Sequence, residues 1–374
     1  MYAHVGRFQL SGWRVPFLLL MLGGVATALL GIHLGSSSTI QFSDTFPSGL
    51  CFGLNVLCGI ALAVGSLTVA TVANIIGGSE WRVITRASLL VGCLSYLVTI
   101  LGGVPDEIEA RHWQVWIGGW SSRSVIDGAI WTTAILSVLL FIEFLPVRSQ
   151  QYARRSWYAG LSRLELPLLI FATSLAAIQQ FGLKRWILLS EAKLSPLWTG
   201  PSLLPLFYLS SVALGLAVLL CASWRSFLAF RKGLPVELQP VLARLLAAAV
   251  FVYLTVRLID LVERGLLWSV FGMARENLLI MLELALLLCG MLWIHGSERE
   301  PGEVFVGSAL IIAGVIANRL NTAITSLEIV TGQQNLPRWG EFLICYSLIA
   351  AGVAGFALAV KHLGVFPEVQ PSAA

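Results

Sequence analysis

Residues 240–296 read PVLARLLAAAVFVYLTVRLIDLVERGLLWSVFGMARENLLIMLELALLLCGMLWIHG. Two apolar runs, about 240–262 and 276–296, flank a short charged, glycine-containing turn. Each run has close to the roughly 20 residues a helix needs to cross the hydrocarbon of a bilayer. Neither is wholly apolar. Arg257 and Asp260 lie late in the first run, and Glu283 lies about two turns into the second. A charged side chain at bilayer centre costs roughly 2.5–3.5 kcal/mol on insertion scales, so such residues face a cavity or a partner and commonly mark function. The i, i+3 spacing of Arg257 and Asp260 predicts that they share a helix face and pair.

The same pattern fills the chain. Of its 374 residues, 57% are apolar and only 12% charged, with mean hydropathy +0.83. Soluble domains carry about 25% charged residues. The expected architecture is an all-α integral membrane protein, a single polytopic domain over residues 1–374. About ten spans are expected, near 13–34, 48–77, 85–104, 125–146, 164–182, 202–228, 240–262, 276–296, 304–324 and 340–363. The first run follows Arg7 and Arg14 but is too long for a signal-peptide core, so it reads as a membrane helix. Gly23-Gly24 and Gly102-Gly103 read as sites of close helix packing or turns. Trp13, Trp113, Trp120, Trp198 and Trp339 fall at segment ends, as an interfacial aromatic belt would.

Ten spans put both termini on one face together with Arg148, Arg154, Arg155, Arg163, Arg225, Arg231 and Lys232. That face holds the larger share of the basic residues, so both termini are expected in the cytoplasm. Asp106, Asp127, Arg257, Asp260, Glu283 and Arg319 then gather toward the opposite, outer face, with Glu143 the main exception. Singly these residues read as snorkelling charges or helix–helix ion pairs. As a one-sided group they point to a polar cavity opening outward.

Other chemistries find no support. The five histidines, His4, His33, His112, His295 and His362, stand at segment ends or in loops, so no haem is expected. The six cysteines include no C-x-x-C pair, so packing as small apolar residues is expected rather than a disulfide, a metal site or an iron–sulfur cluster. There is no Walker loop and no basic run that would mark nucleic acid. An acid–base-rich pocket open to lipid suits a quinone; a small-ion or solute path would need similar residues.

A further pattern is carried by order and spacing. Phe46-Pro47-Ser48-Gly49-Leu50 is followed in register by Arg86, Tyr96 and Asp106. Then come Ser124-Val125 through Glu143-Phe144-Leu145-Pro146, Ser195-Pro196-Leu197-Trp198, Leu204-Pro205-Leu206-Phe207, and Val256-Arg257-Leu258-Ile259-Asp260. Glu283, Arg319-Leu320 and Pro337-Arg338-Trp339-Gly340-Glu341 complete the series. This resembles the NrfD/PsrC family, closest to the HybB-type membrane subunits of respiratory nickel–iron hydrogenases. The anchors cover about residues 46–346.

The resemblance implies two successive four-helix bundles, here about 48–146 and 164–296, with additional helices at 13–34, 304–324 and 340–363. It implies a bacterial inner-membrane subunit without a redox cofactor of its own. Such a subunit binds menaquinone or ubiquinone near the outer face, beside an iron–sulfur ferredoxin-like subunit and nickel–iron hydrogenase large and small subunits. By position, Tyr96, Asp106, Arg257, Asp260, Glu283 and Arg319 would line or support the quinone pocket or a proton path, with Asp106 and Asp127 as proton donors. The chain departs from the family pattern at Asn55 and at Gln179, where the family has a carboxylate and a histidine, and at Gly128, where Asp127 stands beside a missing glutamate. These changes weaken the expected proton route more than the quinone site, since Gln179 and Asn55 still offer hydrogen bonds. Another reductase subunit, a transporter and a passive anchor are the alternatives.

Overall fold

The computed structural model describes residues 19–27, 50, 52–109, 135, 156–189, 195–198, 200–272, 274–296, 301–331 and 339–368. Side chains of helical residues 103–109, 156–163 and 181–189 are outside that description. The principal helices are α1 (Cys58–Ile76), α2 (Trp81–Glu109), α3 (Ser156–Leu189), α4 (Leu203–Phe230), α5 (Leu238–Glu263), the short α6 (Leu267–Val270), α7 (Arg275–Gly296), α8 (Pro301–Leu320), α9 (Ser326–Thr331) and α10 (Trp339–Leu363). A π-helical turn, Phe52–Leu57, leads into α1, and a second, Asn321–Thr325, follows α8.

Seven helices among the described residues are long and apolar enough to cross a membrane. They coincide with seven of the ten expected spans. In α3 the apolar part is the shorter Leu164–Gln180, and the helix carries Pro167 in its interior. The expected span at 125–146 lies outside the described residues apart from Ile135, and of 13–34 only 19–27 is described, as helix. In lipid a chain must satisfy its backbone within each segment, which explains why such apolar runs are helical.

Burial ranks the helices. The spans built on α1 and α4 are 78% and 67% buried, whereas those on α5, α7 and α10 are 33%, 28% and 33% buried. The first two form the centre and the latter three present apolar side chains outward, as a lipid-facing periphery does. Glycine permits the central contact. At Gly65 and Gly215 the backbones of α1 and α4 touch, and a Cβ on Gly215 would lie 2.7 Å from the Ser66 nitrogen. Gly290 and Gly307 do the same for α7 and α8, each facing the other's carbonyl. Gly24 packs on Ser347 and Gly102 on Asn55, so the glycine pairs named from sequence include close-packing positions.

The bundle has two distinct ends. At one, α1 stops at Gly77 (φ 73°), whose N–H bonds the Ala73 carbonyl. The Leu234 N–H donates to Ser223 Oγ, and Lys232 pairs across a β-bridge with Glu368. At the other end gather the π turns, the segment after residue 195, the last turns of α5 and the first of α7 and α10. Leu50 N–H donates to the buried Glu341 carboxylate there, and Arg275 pairs with Glu328 at 3.1 Å.

One cysteine expectation is corrected. Cys58, Cys93, Cys221 and Cys289 are free, but Cys345 is disulfide-bonded. It is fully buried in an apolar cluster with Leu50, Leu54 and Ile344, so packing and cross-linking occur at the same place.

Candidate functional site: two polar centres at one end

The first centre is charged. Tyr253, Arg257, Asp260 and Arg264 follow a 4-3-4 spacing that puts them on one face of α5 and its end. That face meets Glu283 of α7, Asn318 of α8 and Trp198 of the preceding connection. Glu283 is fully buried and accepts three hydrogen bonds: from Trp198 Nε1 at 3.2 Å, Asn318 Nδ2 at 2.8 Å and Tyr253 OH at 3.4 Å. A buried carboxylate would be costly without such donors. Arg257 and Asp260 do share a face, but at 3.9 Å. The closer partner of Asp260 is Arg264 at 3.0 Å. Arg257 donates instead to the Leu197 carbonyl at 2.7 Å.

Arg319 lies beside this centre and is 1% exposed. Its guanidinium sits 3.7 Å over the Phe207 ring and donates from NH2 to the Phe207 carbonyl and to Ser210 Oγ, both at 2.9 Å. Among the described residues no carboxylate pairs with it within 4 Å, and its Nε and NH1 have no hydrogen-bond partner. A cation–π contact, the Phe207 carbonyl and the Ser210 and Ser211 hydroxyls hold this charge in place of a salt bridge.

The second centre is neutral. The Tyr96 hydroxyl of α2 donates to Gln179 Oε1 of α3 at 2.9 Å. One turn on, Thr99 Oγ1 donates to the Asn55 carbonyl at 3.2 Å. The Asn55 side chain, 0% exposed, has neither amide atom hydrogen-bonded, and the same holds for Gln180 at 1%. Asn321 Nδ2 is also buried without a partner, though its Oδ1 accepts from Thr325. Asn55 and Asn321 belong to the two π turns, which touch each other. π turns are rare and cluster at functional sites. Asn318, Arg319 and Asn321 fall within one turn of chain, so the end of α8 connects the two centres.

The residues singled out from sequence therefore divide. Arg257, Asp260, Glu283 and Arg319 meet in or beside the charged centre, and Tyr96, Gln179 and Asn55 in the neutral one. Asp106 lies on α2, but its side chain is outside the described residues, and Asp127 is outside them altogether. The structure adds Tyr253, Arg264, Asn318, Gln180 and Asn321. The 4-3-4 spacing around Arg257 was the available signal for Tyr253 and Arg264. Trp198 has the opposite environment to that expected: it is 1% exposed and bonded to Glu283 rather than placed in an interfacial belt. Trp339, at 85%, is exposed as a belt residue would be.

Fold and site together define a multi-pass helical membrane protein with buried polar centres at one end of its bundle. The chain is similar over nearly its whole length to a protein of Nitratidesulfovibrio vulgaris, 22% identical over 384 residues and covering 98% of this chain and 97% of the relative. It is also similar to the probable Ni/Fe-hydrogenase 2 b-type cytochrome subunit of Escherichia coli, 22% identical over 355 residues, 90% of this chain and 88% of that one. No protein-family model matches the chain.

The second relative corrects the expectation that haem is absent, because a b-type cytochrome is a haem protein. Among the described residues, His295 and His362 are exposed in the last turns of α7 and α10. They do not form a buried axial pair. His4, His33 and His112 lie outside the described residues. No step below is derived through a haem.

Proposed function

We propose that this chain is the quinone-reactive membrane subunit of a respiratory oxidoreductase of hydrogenase type. The E. coli relative's hydrogenase assignment supports the complex, and the neutral centre supports the ligand. The observation that carries the reading is the set of unpartnered amide atoms: both of Asn55, both of Gln180 and Nδ2 of Asn321. An unsatisfied polar group in hydrocarbon costs several kcal/mol, so buried groups of this kind are retained for a ligand that satisfies them. A quinone carbonyl accepts from an amide N–H, and a quinol hydroxyl donates to an amide oxygen. Asparagine and glutamine carry both functions, so the same residues serve the oxidised and reduced headgroup. Tyr96 fixes Gln179 alongside.

Reduction of a quinone takes two electrons and two protons. Electrons would come from a partner iron–sulfur subunit next to a nickel–iron hydrogenase, docked at the polar end. Protons would enter from the same end, with Asp106 and Asp127 as donors and the charged centre as electrostatic support. On the positive-inside argument this end faces outward from the bacterial inner membrane and both termini are cytoplasmic.

The test is quinone reduction by the purified complex with a short-tailed quinone. Asn55→Leu should raise KM about tenfold, the loss expected for about 1.4 kcal/mol of headgroup binding. Tyr96→Phe should raise it less. Unchanged KM in Asn55→Leu and Gln180→Leu alike would overturn the headgroup site.

A further inference from the structure

We propose that residues 195–198 form a gate over the charged centre, and that the cavity behind them is a water site filled from this end of the bundle. The segment is held by its backbone and one indole, and every anchor comes from another element. Ser195 N–H donates to Ser326 Oγ at 2.7 Å. The Pro196 carbonyl accepts from Arg264 and the Leu197 carbonyl from Arg257. Trp198 closes the series on Glu283. Its ring and Leu197 pack with Leu261, Val270 and Ile280.

Behind this segment is a small cavity of about 10 Å³, lined by Trp198, Phe207, Tyr253, Arg257, Asn318 and Thr322 among others. That is about the room a single water molecule takes, and far too little for an organic ligand. Trp198, Tyr253 and Asn318 line it and also hold Glu283. At the same centre Arg257 Nε and Asp260 Oδ1 are buried with no hydrogen-bond partner. Unpartnered polar atoms beside a polar cavity are what ordered internal water satisfies.

The kind of anchoring makes the segment a gate rather than a fixed plug. Arginine-to-carbonyl bonds can be exchanged for water when the segment lifts, whereas the helices beneath keep their own ladders intact. Gly200 lies directly against Arg264, where a Cβ would come within 2.5 Å of the guanidinium, so the turn and its clamp are matched. Lifting Trp198 removes one of three donors from Glu283 and opens the cavity at the polar end. Water then reaches Glu283, Arg257 and Asp260 together. This inference does not depend on quinone binding.

The experiment reads access to Thr322 on the cavity wall. Thr322→Cys in the full complex, in sealed vesicles, is treated with a small membrane-impermeant methanethiosulfonate and its labelling followed by mass spectrometry. Slow labelling at rest, accelerated at least about tenfold when Arg264→Gln is added, is the expected result. Equal rates in the two backgrounds, fast or slow, overturn the gate. Hydrogen–deuterium exchange on the unaltered complex tests it without a variant. The Ser195 amide, which donates across to Ser326, should exchange at least about tenfold faster than those of residues 207–216 in α4, and equal protection overturns the proposal.

Discussion

The two polar centres solve the same problem in opposite ways. Around Glu283 the charges are high and the carboxylates are partnered: three donors meet Glu283, and Asp260 is shared between two arginines, though Arg257 Nε and Asp260 Oδ1 have no hydrogen-bond partner. Around Asn55 the named residues Tyr96, Thr99, Gln179 and Asn321 are uncharged, yet amide atoms of Asn55 and Asn321 have no partner. Three donors on the Glu283 carboxylate make it a structural keystone whose neighbours depend on it. An incomplete set of partners makes the neutral centre receptive. In a membrane interior the difference predicts which substitutions destabilise the fold and which alter ligand binding.

The strongest challenge to this contrast is Glu283→Ala. It strands Trp198, Tyr253 and Asn318 as buried donors and leaves the neighbouring arginines less compensated. The expected cost is about 3–5 kcal/mol, seen as failure of the complex to accumulate in the membrane or a large drop in Tm. Trp198→Phe removes a single bond to a charged group and should cost about 1.5–3 kcal/mol, with a smaller fall in Tm. Asn55→Leu should have the opposite sign. Replacing an unpartnered amide by an apolar group of similar size should raise the stability of quinone-free protein by about 1 kcal/mol, measured as a higher Tm, while weakening quinone binding. If Asn55→Leu destabilises as Glu283→Ala does, the neutral centre is structural and the contrast fails. Tyr96→Phe has the smallest effect, about 1 kcal/mol, since it removes one neutral hydrogen bond to Gln179.

Much of the frame was legible in the chain. Apolar runs of membrane length gave seven spans that coincide with described helices, because length and hydropathy are local properties. The gathering of Arg257, Asp260, Glu283 and Arg319 toward one end was also legible, since consecutive spans alternate in direction; Asp106 and Asp127, expected with them, fall outside the described side chains. Individual pairings were less so. The i, i+3 rule paired Arg257 with Asp260, yet Arg264 competes from the next turn and Arg257 turns to a carbonyl. Trp198 reads as interfacial by position, and only the fold directs it inward to Glu283. Cys345 shows the same limit, because no spacing in the sequence marks its disulfide. The haem expectation failed for another reason: the E. coli relative's name bears on it, and histidine spacing did not.

The sequence by itself determined that this is a helical membrane protein and named most of the charged residues it keeps in apolar surroundings. The cost of exposing backbone and charge to lipid depends on composition along each segment, so a single chain carries that information. Only the tertiary structure decided which charges meet and which amides are left without partners. Those outcomes depend on contacts between residues such as Trp198, Tyr253, Glu283 and Asn318, which lie on separate elements and are joined by hydrogen bonds only once the helices pack. It also sorted the polar residues into a charged centre built on the Glu283 carboxylate and an uncharged one around Asn55, a distinction set by geometry that residue type alone does not carry.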